Sequence, residues 1–136
     1  MLVFVYGTLT DPDRAERALG HSPEFVGAAT LAGCRRVDGE YPTLAPGGSC
    51  EGRLLRVDRP RLARLDAYEG VDRGLYARVS VPFAPGPDAG TLGTVETYVG
   101  DPDRLDAPTT WPGDGSLPTR VEAYLHEEDV VVRRTE

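Results

Sequence analysis

Two stretches hold most of the residues able to do chemistry: VFVYGTL at residues 3–9 and RLDAYEGVDRGLYAR at residues 64–78. In the first, an apolar strand runs into Gly7 just ahead of a helix start. A strand ending this way leaves several backbone N–H groups without ladder partners. Aimed together, such groups hold an anion or a developing oxyanion. Gly7 keeps that backbone open to a ligand, because any side chain there would stand in front of it. Thr8 adds a hydroxyl donor. An ordinary strand-to-helix turn explains the same four residues, so YGTL alone does not decide the matter.

The second stretch supplies a carboxylate in an unusual setting. Leu62 and Leu65 mark the core face of a helix beginning near Asp58, and Glu69 follows Leu65 by four residues, on that same face. Desolvation there raises a carboxyl pKa above its usual value of about 4.3, which prepares a general base for work near neutral pH. The competing reading is a helix-end glutamate turned back to water. Asp66 lies one position off that face and reads as a surface residue. Two carboxylates three apart on one helix cannot flank a sugar, so a glycosidase pair is set aside.

Little else competes. His21 and His126 are isolated, which gives no zinc site. Cys34 and Cys50 lack CxxC spacing and read as buried free thiols. No metal and no cofactor is expected.

Elements must carry these residues. Residues 2–6 read as a strand ended by Gly7. A helix follows, with Thr10 or Asp11 as cap, Pro12 in its first turn and Gly20 as its stop. Residues 24–37 suggest one or two strands. GEYPTLAPGG reads as a turn, a short extended piece from Tyr41 to Leu44, and another turn. CEGRLLRVD is a strand, Asp58 caps a second helix that ends near Gly70, and LYARVSVPF alternates with the period of a strand. Residues 92–99 form another strand. Residues 100–118 read as a long surface loop carrying Trp111, whose ring packs on its own domain or, less favoured, lids a pocket. VEAYL and VVVRR are expected as extended pieces. About seven short strands against two short helices give an α+β chain with an antiparallel or mixed sheet that curls or closes.

The totals agree with one domain over residues 1–136. Hydrophobic residues make up 40% and charged residues 27%, as in globular proteins. The formal net charge of −7 argues against nucleic acid and anionic membranes as partners. All 15 basic residues are arginine. Absence of lysine beside abundant aspartate points to a GC-rich genome or to a high-salt cytoplasm that favours acidic surfaces, and codon bias alone would also produce it. No signal peptide or membrane span is read, so the expected location is cytoplasmic. A chain this small is expected as a monomer or weak homodimer.

FVYGTL, EYPTL, CEGRLLRVD and RLDAYEGVDRGLYARVSV, taken in that order, resemble the γ-glutamylcyclotransferase-like family, which includes γ-glutamylamine cyclotransferases and AIG2-like proteins. The resemblance spans residues 2 to about 100. It implies a small, mixed, mostly antiparallel β-barrel of six to seven strands with two flanking short helices and a cavity at one end. It further implies that Tyr6, Gly7, Thr8 and Leu9 bind a γ-glutamyl group through their backbone and that Glu69 is the acid/base. Tyr76 is then a cavity residue, and Tyr41 a wall of the same pocket. The implied partner is a small γ-glutamyl compound. Its own α-amine closes on the γ-carbonyl, releasing 5-oxoproline and an amine or amino acid without any cofactor. A non-catalytic module using the same cavity to bind a metabolite or peptide end is the alternative. The leaving group is not legible, although Arg73 and Arg78 lie near the motif as candidates for a local clamp.

Overall fold

The computed structural model describes residues 1–135. Six strands, β1 (Leu2–Val5), β2 (Glu24–Asp38), β3 (Pro42–Arg56), β4 (Tyr76–Ala84), β5 (Thr94–Gly100) and β6 (Val131–Arg134), close into a barrel in the order β1-β3-β2-β6-β4-β5. The β1–β5 and β4–β6 pairs are parallel and the other four are antiparallel, so the barrel is mixed and mostly antiparallel. Closure gives each strand a neighbour on both sides over part of its length. Four helices accompany it: α1 (Pro12–Leu19), α2 (Arg59–Tyr68), α3 (Pro102–Leu105) and α4 (Leu117–Glu127). No helix among the described residues is long and apolar enough to cross a membrane.

Alternation along β1 divides the core into two clusters. Phe4 and Tyr6 join the cluster made mainly by barrel strands, with Leu31, Leu54, Val81, Val95 and Val132. Val3 and Val5 face the other way, onto Leu19 of α1 and Leu62 and Leu65 of α2. Both helices have the predicted ends. The Asp11 and Asp58 side chains accept from the N–H groups of Asp13 and Arg61, and Pro occupies the first turn of each.

Three expectations need correction. The two extended pieces read around Tyr41–Leu44 and in CEGRLLRVD are one strand, β3. Its glycines 47 and 48 lie where the β2–β3 ladder shifts register between Ala32 and Cys34, so they form a bulge rather than a turn. VEAYL is helical, inside α4: the Ser116 side chain accepts from Thr119 N–H, Pro118 stands in the first turn, and Val121 and Leu125 bury a stripe four residues apart. Residues 100–118 are not wholly a surface loop, because they contain α3 and a Trp111 that is 1% exposed. The Trp111 ring packs edge-on to Tyr124 of α4 at 5.3 Å between centroids. It is core, not lid.

Candidate active site

β1 and α2 bring the two chemical stretches together, because Val5 and Leu9 pack in the same cluster as Leu62 and Leu65. Between them lies a cavity of about 240 Å³, lined by Tyr6, Gly7, Thr8, Leu9, Tyr41, Glu69 and Tyr76, all seven residues picked from the sequence. Residues absent from that list also line it, among them Arg14, Pro42, Tyr68, Arg73 and Tyr98.

Past β1 the chain tightens into a single 3-10 turn at Thr8–Thr10, which follows Gly7 directly. Thr10 holds the turn through two bonds, its N–H and its hydroxyl donating to the Gly7 carbonyl at 3.1 and 2.7 Å. Arg36 donates to the Tyr6 carbonyl and Arg53 to the Thr10 carbonyl, so both flanks are fixed. Among the described residues, the N–H groups of Gly7, Thr8 and Leu9 have no hydrogen-bond acceptor. The loop therefore presents free donors on a rigid backbone. A Cβ on Gly7 would lie 3.3 Å from the Pro42 Cβ, so the close passage of EYPTL also favours glycine here.

Glu69 is the C-cap of α2, and its N–H donates to the Leu65 carbonyl. Gly70 follows in the left-handed region at φ 67°, a conformation that turns the chain sharply after the helix and that other residues adopt with strain. This geometry leaves the carboxyl in the cavity wall rather than in bulk water. No cation pairs with it among the described residues. Burial alone raises its pKa from 4.5 to about 7.

Tyrosines surround the carboxyl. The Tyr6 hydroxyl donates to the Tyr98 carbonyl at 2.5 Å, and the Tyr76 hydroxyl to the Pro42 carbonyl at 2.6 Å. Burial raises the pKa of both, and the nearby Glu69 charge adds to it. These phenols stay protonated and fix the wall. They cannot act as bases, which leaves Glu69 as the acidic side chain in the lining.

Asp66 is not the surface residue expected. Its carboxylate accepts the Tyr98 hydroxyl at 2.7 Å and lies 3.0 Å from Arg78 Nε, while Arg78 also donates to Glu96 at 2.6 Å. The reason is that Tyr98 and Arg78 rise from the paired strands β4 and β5 onto α2, with Arg78 opposite Tyr98 in register. Arg78 is thereby engaged away from the cavity. Arg73 is the one of the two predicted arginines that lines it. Tyr68 adjoins Glu69 in the sequence, whereas Tyr98 has no local signal; only closure of the barrel brings it near.

A closed six-strand α+β barrel of this order has a γ-glutamyl cyclotransferase-type fold. A family described as gamma-glutamyl cyclotransferase, AIG2-like, matches residues 3–117, and the chain belongs to that family. AIG2-like protein A of Arabidopsis thaliana is 37% identical over 111 residues, 74% of this chain and 64% of that relative. The chain thus spans under two thirds of the length of this curated relative. An Arabidopsis thaliana protein solved in solution is similar over 94% of this chain and 83% of its own, with 30% identity and a TM-score of 0.60. A solved gamma-glutamyl cyclotransferase shares the fold at 15% identity, with a TM-score of 0.64 over 93% of this chain and 98% of its own.

Proposed function

We propose that this protein is a γ-glutamyl cyclotransferase with Glu69 as general acid/base. A γ-glutamyl compound brings its own nucleophile. Its α-amine attacks the γ-carbonyl carbon, a five-membered ring closes, and the bond to the leaving nitrogen breaks. Two protons depart from the attacking ammonium and two arrive on the leaving nitrogen, which exits as an ammonium. Glu69 takes the first proton and returns it to the leaving group, a relay worth roughly 10²–10⁴-fold. Free N–H groups at residues 7–9 hold the substrate carboxylate or the oxyanion that develops on the γ-oxygen. The folded-back pose held by a rigid wall contributes through proximity. Each step needs only this chain and its substrate.

One observation carries the reading: a carboxyl raised by burial to about 7 lines the same cavity as the three free N–H donors. At that value the group exchanges protons in both directions at neutral pH. Incubation with a panel of γ-glutamyl amino acids and γ-glutamylamines, in low and in molar salt, tests it by chromatographic detection of 5-oxoproline. Product from at least one compound is expected. A folded protein that releases none in either salt is a binding module instead.

A further inference from the structure

The cavity mouth carries groups that the proton relay does not use. Arg14 and Arg73 line it, the positive side chains of the lining. Arg14 has the Asp11 carboxylate 3.8 Å away, whereas no acidic side chain pairs with Arg73 among the described residues. The Arg73 guanidinium folds over Gly70, where an added Cβ would lie 2.7 Å from its Nη2, so the free charge sits at the turn that follows Glu69. An unpaired arginine beside a cavity, in a chain of 22 acidic and 15 basic residues, is a ready site for a carboxylate. Two large aromatics stand exposed at the same mouth, Tyr41 at 55% and Tyr68 at 42%. The Tyr68 hydroxyl lies 3.4 Å from Thr8 Oγ1, so its ring bridges the end of α2 and the donor loop. Exposed rings at a cavity rim offer stacking area for an apolar group.

We infer that the mouth selects a leaving group that is an apolar α-amino acid, its free carboxylate on Arg73 and its side chain against Tyr41 and Tyr68. The inference rests on the cyclotransferase reading and adds the class of substrate. With the substrate's own α-carboxylate on the loop N–H groups, the guanidinium is left for a second carboxylate. A γ-glutamylamine has none to give it. A γ-glutamyl amino acid carries one more negative charge than the corresponding amine and fits the positive rim.

Three probes separate the parts: γ-glutamylphenylalanine, γ-glutamyl-2-phenylethylamine, which lacks only the second carboxylate, and γ-glutamylglycine, which lacks only the ring. Calorimetric titration of Glu69→Gln protein reads binding without turnover, and wild-type 5-oxoproline release reads kcat/KM. The phenylalanine compound is expected to bind at least about tenfold tighter than the phenylethylamine compound and several-fold tighter than the glycine compound. Arg73→Gln collapses the first ratio, Arg73→Lys restores part of it, and Arg59→Gln, on the exposed start of α2, leaves it in place. Equal binding of the first two probes, a ratio that survives Arg73→Gln, or no binding of any probe overturns the inference. If the binding order holds but no 5-oxoproline appears, the selectivity stands and the catalytic reading falls. Turnover with equal kcat/KM for the first two probes has the opposite meaning.

Discussion

Glu69 illustrates how one residue takes its chemistry from its address. The sequence places it four residues after Leu65, and that spacing is enough to aim it at the core face; Gly70 then turns the chain away before it reaches water. Its folded pKa near 7, against 4.5 for an ordinary glutamate, has a consequence for stability. Between those values the native state holds a proton that the unfolded chain releases, so stability falls as pH rises through this window. The penalty is absent below about pH 4.5 and complete above about pH 7, reaching up to about 3 kcal/mol. Glu69→Gln removes it. Denaturant unfolding is expected to show the variant more stable than wild type at pH 8 and equal to it at pH 4. A variant that is less stable at pH 8 would mean that the carboxylate has an unseen favourable partner. Asp66 shows the limit of reading at this scale. Its engagement with Tyr98 and Arg78 depends on two strands that arrive some ten and thirty residues later, and nothing local announces them.

At the scale of elements, what could be read were features that the chain settles locally. Caps at Asp11 and Asp58, stops at Gly20 and Gly70, and the alternation of β4 all involve neighbours within a few residues. α4 was missed for the opposite reason. Its start, SLP, has turn-forming composition, and VEAYL contains strand-favouring residues, which mask the four-residue step from Val121 to Leu125. Trp111 explains why the segment before α4 is fixed: its buried ring meets Tyr124, while the Tyr124 hydroxyl donates to the Gly33 carbonyl at 2.7 Å and accepts from Gly47 N–H at 2.8 Å. The tail is thus tied to the β2–β3 bulge. Trp111→Ala is expected to cost about 3–5 kcal/mol in urea unfolding, as for other buried aromatics. A pocket lid would behave differently, raising KM while leaving the urea midpoint in place.

For the whole molecule, closure matters most, because the site exists only where the end of β1 meets the end of α2. The sheet composition made a curled or closed sheet legible, but the strand order was not, since β1 pairs in parallel with β5 across more than ninety residues. Charge also acts at this scale. With −7 net, self-repulsion weakens the folded state at low ionic strength. Raising sodium chloride from about 0.01 to 1 M shortens the Debye length from roughly 30 to 3 Å. The melting temperature is expected to rise by several degrees, and a flat or falling profile would argue against a surface suited to high salt. We propose a monomer or weak homodimer in solution, and sedimentation at micromolar and higher concentration checks that directly. Glu69 as acid/base is tested most plainly by the pH profile of 5-oxoproline release, measured for wild type and Glu69→Gln side by side. Wild-type kcat/KM is expected to climb through a midpoint near pH 7, and the variant to be slower by roughly 10²–10⁴-fold with that step gone. Equal rates for the two proteins, with the same step in both, would contradict it.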